Sequence, residues 1–344
     1  MLSDAGVSPI LVAKSGSWDD EASTTGRAIR VTWREGTAAD SNSRTRGTVL
    51  RGLEELSALR LGKLIRNASL LVTSQPGPTA FFSKTSGRYW PNAGHAALVH
   101  GTSSVEWPFH DHNQTLEGLD DLFAATPEVY KMLRLEAPEK RISQIGNLFR
   151  AEGFWGTDLP NVIQNYCPAG PIVFLGTLTP NKTAPLKSLI EALKTQGSKL
   201  QVLGAGPELP SLKDLATKLG ASDRIEFIGA VSDPRPWLKS ASVVVTAGRG
   251  AIESLSGGRP AIIATSEGNH GLARHADLLE LESYNFTGRT PSSEANSSEA
   301  MARALASVRS LTKDERHLVA ESFASVGSID PILMALGRVQ GAEK

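Results

Sequence analysis

The amino-acid sequence predicts an α/β chain in two domains, with a parallel β-sheet in the second. Three observations carry this. The chain has 344 residues, a length that divides into two domains of ordinary size. Its C-terminal half alternates short apolar runs with segments of helical period, the pattern of βαβ units. The first three of these runs stop at a glycine (Gly176, Gly204 and Gly229), and right-handed crossovers bring such strand ends to one edge of a sheet.

Composition bounds the function. Apolar residues make up 40% of the chain, enough for two cores. Lys plus Arg number 36 and Asp plus Glu 36, so the net charge is zero. That argues against nucleic-acid partners such as duplex DNA, which need a basic face. The single cysteine, Cys167, rules out an intrachain disulfide. With no apolar run near about 18 residues, no membrane span is expected. The opening residues MLSDAGVSPILVAK are too mixed for a secretory signal, so a cytoplasmic protein is expected.

The elements follow in order. Strands are expected at 9–12 and 29–33, a polar loop at 36–48, and a long helix at 49–66. Further strands fall at 70–74, 96–100 and 121–125, then a helix at 127–135. Glycines and prolines crowd 153–171, where a hinge is expected. The resulting boundaries are an N-terminal domain over 1–165, a second domain over 166–325, and a final helix over 326–344 that is expected to cross back to the first. In the second domain, strands are expected at 172–175, 200–203, 225–228, 242–247 and 261–264. Leu186, Leu189, Ile190 and Leu193 mark one helix, and Leu209, Leu212, Leu215 and Leu219 the next.

Residues 242–260, SVVVTAGRGAIESLSGGRP, are the most informative stretch. They read as a buried strand, a Gly-Arg-Gly bend, then a helix with Glu253 on its first turn. A helix start leaves backbone N–H groups free and carries partial positive charge, which suits a phosphate. Gly248 and Gly250 lack a Cβ, so a ligand can approach the backbone closely. Glu253 is then in reach of a sugar hydroxyl beside that phosphate. A nucleotide or nucleotide-sugar site is the expectation.

The order of these pieces resembles a known family. FLGTLTPNKTAPLKSLIEAL, LQVLGAGPELPSL, RIEFIGAVSD and TAGRGAIESLSGGRPAIIA resemble the nucleotide-binding domain of GT-B glycosyltransferases, most of all the group that includes glycosyltransferase family 4. Upstream, LVHG, DLFAATPEVYKML and IGNLF resemble that family's N-terminal domain. The resemblance implies two Rossmann-like domains facing across a cleft. It implies transfer of a sugar from a nucleotide-diphosphate sugar to an acceptor (glycan, lipid, protein or small molecule), with retention and without a metal or other cofactor. It gives Glu253 the donor ribose, and Gly248, Arg249, Gly250 and Ala251 the diphosphate. Lys182 neutralises the leaving group, Gly176 admits the donor, His100 lies near the donor sugar, and Asn147 sits in a turn near the hinge.

The chain departs from the family pattern at three places. Thr177 stands where an arginine usually follows the first glycine of the second domain. Val245 stands eight positions before Glu253, where a second glutamate usually contacts the transferred sugar. The expected first strand and glycine-rich loop have no counterpart, so the N-terminal domain reads as lacking its first strand and helix. Two other readings stay open: a nucleotide-sugar epimerase or hydrolase of the same architecture, and a non-catalytic binding or partner subunit.

Plainer readings stand beside the sharp ones. Glu253 could serve only as an acid near a helix start, Lys182 as a surface lysine, and His100 as a structural histidine at a strand end. His110, Asp111 and His112 lack a third ligand and read as a solvated loop, and Glu106 reads as surface charge. Trp90, Trp107 and Trp155 read as core before acceptor groove. Gly204-Ala205-Gly206 lacks the third glycine of a dinucleotide fingerprint. Residues 267–271 read equally as a turn or a loop near the donor sugar.

Overall fold

The structure is a computed structural model. It describes residues 11–14, 28–31, 59, 61–63, 65–74, 76–101, 116–180, 182–195 and 197–342. The expected loop at 36–48, most of the helix at 49–66, and Glu106, Trp107, His110, Asp111 and His112 lie outside the described residues. The chain divides into two compact units, one formed by residues up to Gly146 and from Ser328 onward, the other by Asn147–Gly327.

In the first unit, β1 (Leu11–Lys14) and β2 (Ala28–Val31) pair in parallel. β3 (Leu70–Ser74), β4 (Gly94–Val99), β5 (Asp121–Ala124) and β6 (Arg141–Gln144) form a four-stranded parallel sheet in that order. α1 (Pro76–Tyr89) links β3 to β4, and α2 (Pro127–Glu136) links β5 to β6. Thr126 starts α2 by accepting the Val129 N–H at 3.2 Å, the usual N-cap bond, and Val129 and Leu133 point into the core.

α1 was not expected. Its sequence, PGPTAFFSKTSGRY, places two phenylalanines side by side among prolines and glycines, so no helical stripe shows. Phe81 and Phe82 are nonetheless both buried, and Phe82 packs on Trp90 with ring centroids 5.3 Å apart. Trp90 gives its indole N–H to the Ile65 carbonyl at 3.2 Å, so it is core. His95 on β4 is buried beside it, with Nδ1 3.0 Å from the Gly118 carbonyl and Nε2 3.3 Å from the Thr73 hydroxyl.

The second unit is a six-stranded sheet in the order β10-β9-β8-β11-β12-β13. Its strands are β8 (Ile172–Leu175), β9 (Leu200–Leu203), β10 (Ile225–Gly229), β11 (Val243–Thr246), β12 (Ala261–Thr265) and β13 (Gly268–Leu272). All pair in parallel except β13, which runs antiparallel to β12. Of residues 267–271, Glu267 lies in the turn that follows β12, and the other four fall in β13, a short edge strand.

Helices cover both faces. α3 (Ala151–Trp155) and α4 (Leu159–Gln164) precede β8. α5 (Ala184–Ala192), α6 (Leu209–Lys218), α7 (Arg235–Ser240) and α8 (Arg249–Ser256) connect the parallel strands. α9 (Leu278–Ser283), α10 (Ser298–Ser307) and α11 (Lys313–Ser322) follow β13. Side chains alternate along each strand. Phe174, Val202 and Val245 therefore meet Leu186, Leu189 and Leu212 on one face, while Val173, Val244 and Ile263 meet Ile252, Leu255 and Trp155 on the other.

The region expected as a hinge, 153–171, instead holds α4 and the end of α3. Trp155 is buried and gives its indole N–H to Ser256 Oγ at 3.0 Å, so it too is core. The contact division falls at Gly146, ahead of the boundary expected at 165. The final helix, α12 (Asp330–Ala342), belongs to the first unit, where Arg338 Nη2 donates to Asp121 Oδ1 at 2.6 Å. β7 (Phe149–Arg150) pairs with β14 (Ser325–Val326) inside the second unit.

Candidate functional site

Topology selects one edge of the second sheet. From β8 the chain winds to β9 and β10 on one side, then crosses to β11 on the other side of β8. Ligands of open α/β sheets bind outside the carboxyl ends of the strands at such a switch point. The loops leaving β8 and β11 meet there, and they contain Gly176, Thr177, Lys182 and Gly248.

The turn after β11 is a left-handed corner. Gly248 has φ +59°, and an added Cβ would find only Asn285 O, at 4.0 Å. Its open side is thus available, while its backbone excludes other residues. No side chain caps α8, and the N–H groups of Arg249 and Gly250 have no acceptor among the described residues. Gly250 has a different reason to be glycine. A Cβ there would collide with Thr246 Oγ1 and come within 3.1 Å of Leu175 Cδ2, so it lets the helix sit close on the strand ends. Ala251 was expected to face a diphosphate. It is instead fully buried, and its N–H is bonded to Gly248 O at 3.1 Å.

Glu253 is the fifth residue of α8, one turn further in than expected. Its Oε1 accepts from Arg249 Nε at 3.0 Å; the glutamate side chain is 13% exposed and the arginine 67%. Burial pushes the Glu253 carboxyl up, and Arg249 partly offsets this. A cation at the first position of a helix opposes the macrodipole. Arg249 is held there by Glu253 and by the ring of Phe149, whose centroid lies 5.6 Å from its Cζ. This leaves most of the guanidinium in solvent beside two free backbone N–H groups.

Behind the corner, α9 ends in a Schellman motif. The Phe286 N–H bonds Leu281 O at 2.7 Å and the Asn285 N–H bonds Glu282 O at 3.1 Å. Asn285 and Phe286 both have positive φ, 56° and 51°. Asparagine tolerates this region, but a buried phenylalanine there is strained. Phe286 O accepts the Gly248 N–H at 2.9 Å, so the strained pair fixes the corner. Asn147 Nδ2 donates to Asn285 Oδ1 at 3.0 Å. The structure thus brings Asn147 to the Gly248 corner. Phe149, Asn285 and Phe286 were not singled out for this site. Only Asn285, as an asparagine just past a helical run, left a signal for a left-handed cap.

On the other side, the loop after β8 is pinned by Gly204 and Gly206. A Cβ on Gly204 would meet Gly176 O, and one on Gly206 would meet Leu178 O. Those glycines admit a neighbouring loop, which is why the pair is no dinucleotide fingerprint. At Gly176 an added Cβ meets only the Phe174 ring, at 3.4 Å. Thr177 and Lys182 are exposed. Val245 is fully buried on β11, which lies between β8 and β12. His100 ends β4 in the first unit, where its Nε2 lies 3.0 Å from Ser74 Oγ; partial desolvation lowers its pKa. Among the described residues no group of three or more His, Cys, Asp or Glu could hold a metal ion, and no helix is long and apolar enough to cross a membrane.

Comparison with known proteins fits this geometry. Residues 170–310 match the family described as glycosyl transferases group 1. A lipopolysaccharide core biosynthesis glycosyltransferase, LpsE of Rhizobium meliloti, is 36% identical over 97 residues, 26% of this chain and 28% of that protein. The matched stretch thus spans well under half of that relative. Sucrose-phosphate synthase from Thermosynechococcus elongatus shares the fold with a TM-score of 0.65 at 15% identity, covering 99% of this chain and 90% of its own. The Anabaena protein Alr3699/HepE, solved with UDP and glucose, has a TM-score of 0.61 at 14% identity, covering 97% and 98%. The GT-B resemblance seen in the sequence therefore holds: the chain has the GT-B fold of two Rossmann-like units, and its residues 170–310 are similar to the group 1 glycosyl transferases, with nothing that singles out family 4.

Proposed function

We propose that this protein is a glycosyltransferase that moves a sugar from a nucleoside diphosphate sugar to an acceptor hydroxyl. The bond from the sugar's anomeric carbon to the diphosphate breaks, a bond to the acceptor oxygen forms, and the acceptor proton leaves. The observation that carries this reading is the Gly248 corner. There an exposed guanidinium, two unpaired N–H groups and a largely buried carboxylate lie at the switch point of a parallel sheet. An anion and a polyol side by side are what such a set recognises.

In this reading the Arg249 and Gly250 N–H groups and the Arg249 guanidinium take the diphosphate. Lys182, exposed on the neighbouring loop, adds a second cation as charge builds on the leaving group. Glu253 exchanges its bond to Arg249 for the ribose hydroxyls. Gly176 and Thr177 line the same edge. The resemblance adds His100 at the donor sugar, retention of configuration, and independence from metal. The UDP and glucose bound by the Anabaena protein make uridine donors the first to try. A partner protein and a cytoplasmic location belong to the same proposal.

The test is binding and turnover of the whole chain with UDP-, GDP- and ADP-sugars, with and without chelator. Donor-dependent release of nucleoside diphosphate that rises with an added acceptor supports the reading. Nucleoside diphosphates binding the Glu253→Ala protein as tightly as the unmodified chain would overturn the site.

A further inference from the structure

Two arginines of the second unit are buried with no acid beside them among the described residues. Arg259, just past α8, is 1% exposed, and Arg316, in α11, is 8% exposed. Both lie against the ring of Tyr166, with Cζ atoms 5.8 Å and 4.1 Å from its centroid. The Tyr166 hydroxyl is occupied in donating to Ser242 O at 2.8 Å. Arg259 Nη2 donates to the carbonyls of Val162 and Asn165. Arg316 Nη1 makes only a long contact, 3.5 Å, with Gly258 O.

Three charged donors are left over. Arg259 Nε, Arg259 Nη1 and Arg316 Nε are buried without an acceptor among the described residues. A buried donor left without an acceptor destabilises the fold, and more so when it is charged. Like charges away from water also repel one another, and burial together with Arg316 lowers the Arg259 pKa to about 10. The Tyr166 ring offsets part of this through its face. It offers no acceptor in the plane of the N–H groups.

The two side chains border one small cavity, walled otherwise by Leu255, Pro260, Ala273, Leu311 and Val319. Its free space suits about one water-sized particle. A water would satisfy N–H groups but leave the charges facing each other. A small monovalent anion, a little larger than water, does both. A phosphate or sulfate is too large for the space.

We propose that Arg259 and Arg316 jointly hold one chloride-sized anion. The site lies at the opposite sheet edge from the Gly248 corner, since Arg259 precedes β12 whereas Gly248 follows β11 and the two strands are parallel. The proposal is independent of what the protein transfers.

Two measurements on the full chain test it. Crystals grown or soaked in sodium bromide should show an anomalous peak within hydrogen-bond reach of Arg259 and Arg316. Melting temperature should rise by roughly 2–4 °C in sodium chloride over sodium gluconate at equal ionic strength, as mass action at a native-state site requires. Arg316→Gln should remove that anion-specific rise. Absence of the bromide peak, with equal melting in the two salts, overturns the proposal. So does a water observed in the cavity of bromide-soaked crystals. An anion-specific rise that survives intact in Arg316→Gln also overturns it, because the anion then sits elsewhere.

Discussion

Asn147 Nδ2 lies 3.0 Å from Asn285 Oδ1, so the first residue of the second unit is tied to the left-handed backbone that positions Gly248. Two substitutions separate the bond from the backbone. Asn285→Ala loses the hydrogen bond and forces alanine to a φ of 56°, for a cost of about 2 kcal/mol. Asn285→Gly loses the same bond but relaxes the backbone, so its stability should lie within about 1 kcal/mol of the unmodified chain. Denaturant melts of the two variants check this; equal losses would mean the conformation is not left-handed.

If Glu253 holds the donor ribose as proposed, donor binding depends on pH. Its carboxyl is raised by burial, and only the ionised form accepts bonds from both ribose hydroxyls. Donor affinity should therefore fall, as pH drops, at a higher pH than for an ordinary exposed glutamate. Glu253→Gln should weaken donor binding by about 10- to 100-fold at neutral pH and flatten the acid limb. Titration calorimetry from about pH 4 to 7, which spans the ordinary glutamate pKa and the range above it, reads both effects.

Arg249 and Lys182 should part company in kinetics. Arg249→Met removes a guanidinium next to two free N–H groups and releases Glu253, so both donor KM and kcat should suffer. If Lys182 acts mainly on charge that develops as the diphosphate leaves, Lys182→Met should lower kcat by about 100-fold with a smaller change in KM. Unchanged kcat in Lys182→Met would assign it to the surface.

The two glycines of the corner should fail for different reasons. Gly250→Ala drives a methyl into Thr246 and Leu175 and should cost about 1–3 kcal/mol of stability. Gly248→Ala meets open space but a φ of +59°, a cost of about 1–2 kcal/mol, and its methyl stands on the open face that the proposed function gives to the donor. Donor affinity should drop more in Gly248→Ala than in Gly250→Ala once both are measured well below their melting points.

His95 makes the first unit sensitive to acid. Burial lowers its pKa from 6.5 to about 4, so the folded imidazole stays neutral where the unfolded one takes up a proton. Its contribution is complete above about pH 6.5 and is lost as pH falls toward 4, a change of about 3 kcal/mol. His95→Gln should show a shallower fall in melting temperature over that window. An NMR titration placing His95 near the unperturbed value would contradict the cause assigned here.

Much of the second unit was legible because its strands are buried on both faces and read as unbroken apolar runs, such as VVVT and AIIA. β13 was not, since GNHGL has the composition of a turn and is a strand only by pairing with β12. α1 hid for a similar reason, its helix being held by Phe81 and Phe82 against distant partners. At the site, Gly248, Arg249 and Glu253 stood out by type and spacing. The position of Glu253 within α8 did not, because helix starts follow from backbone angles that sequence sets loosely. Val245, eight positions before Glu253, is a valine buried in β11, so this chain has no carboxylate at that position.

The chain passes between its two units at Gly146/Asn147 and again at Gly327/Ser328. The second unit is therefore an insertion, excisable as one unbroken polypeptide of about 180 residues, while the first exists only as two separate pieces brought together. Melting the insert alone would turn it into a slack tether between those pieces, and holding its ends together carries a loop entropy that grows only with the logarithm of its length. Cooperativity between the halves thus has a covalent source that survives even if every noncovalent contact between them were removed.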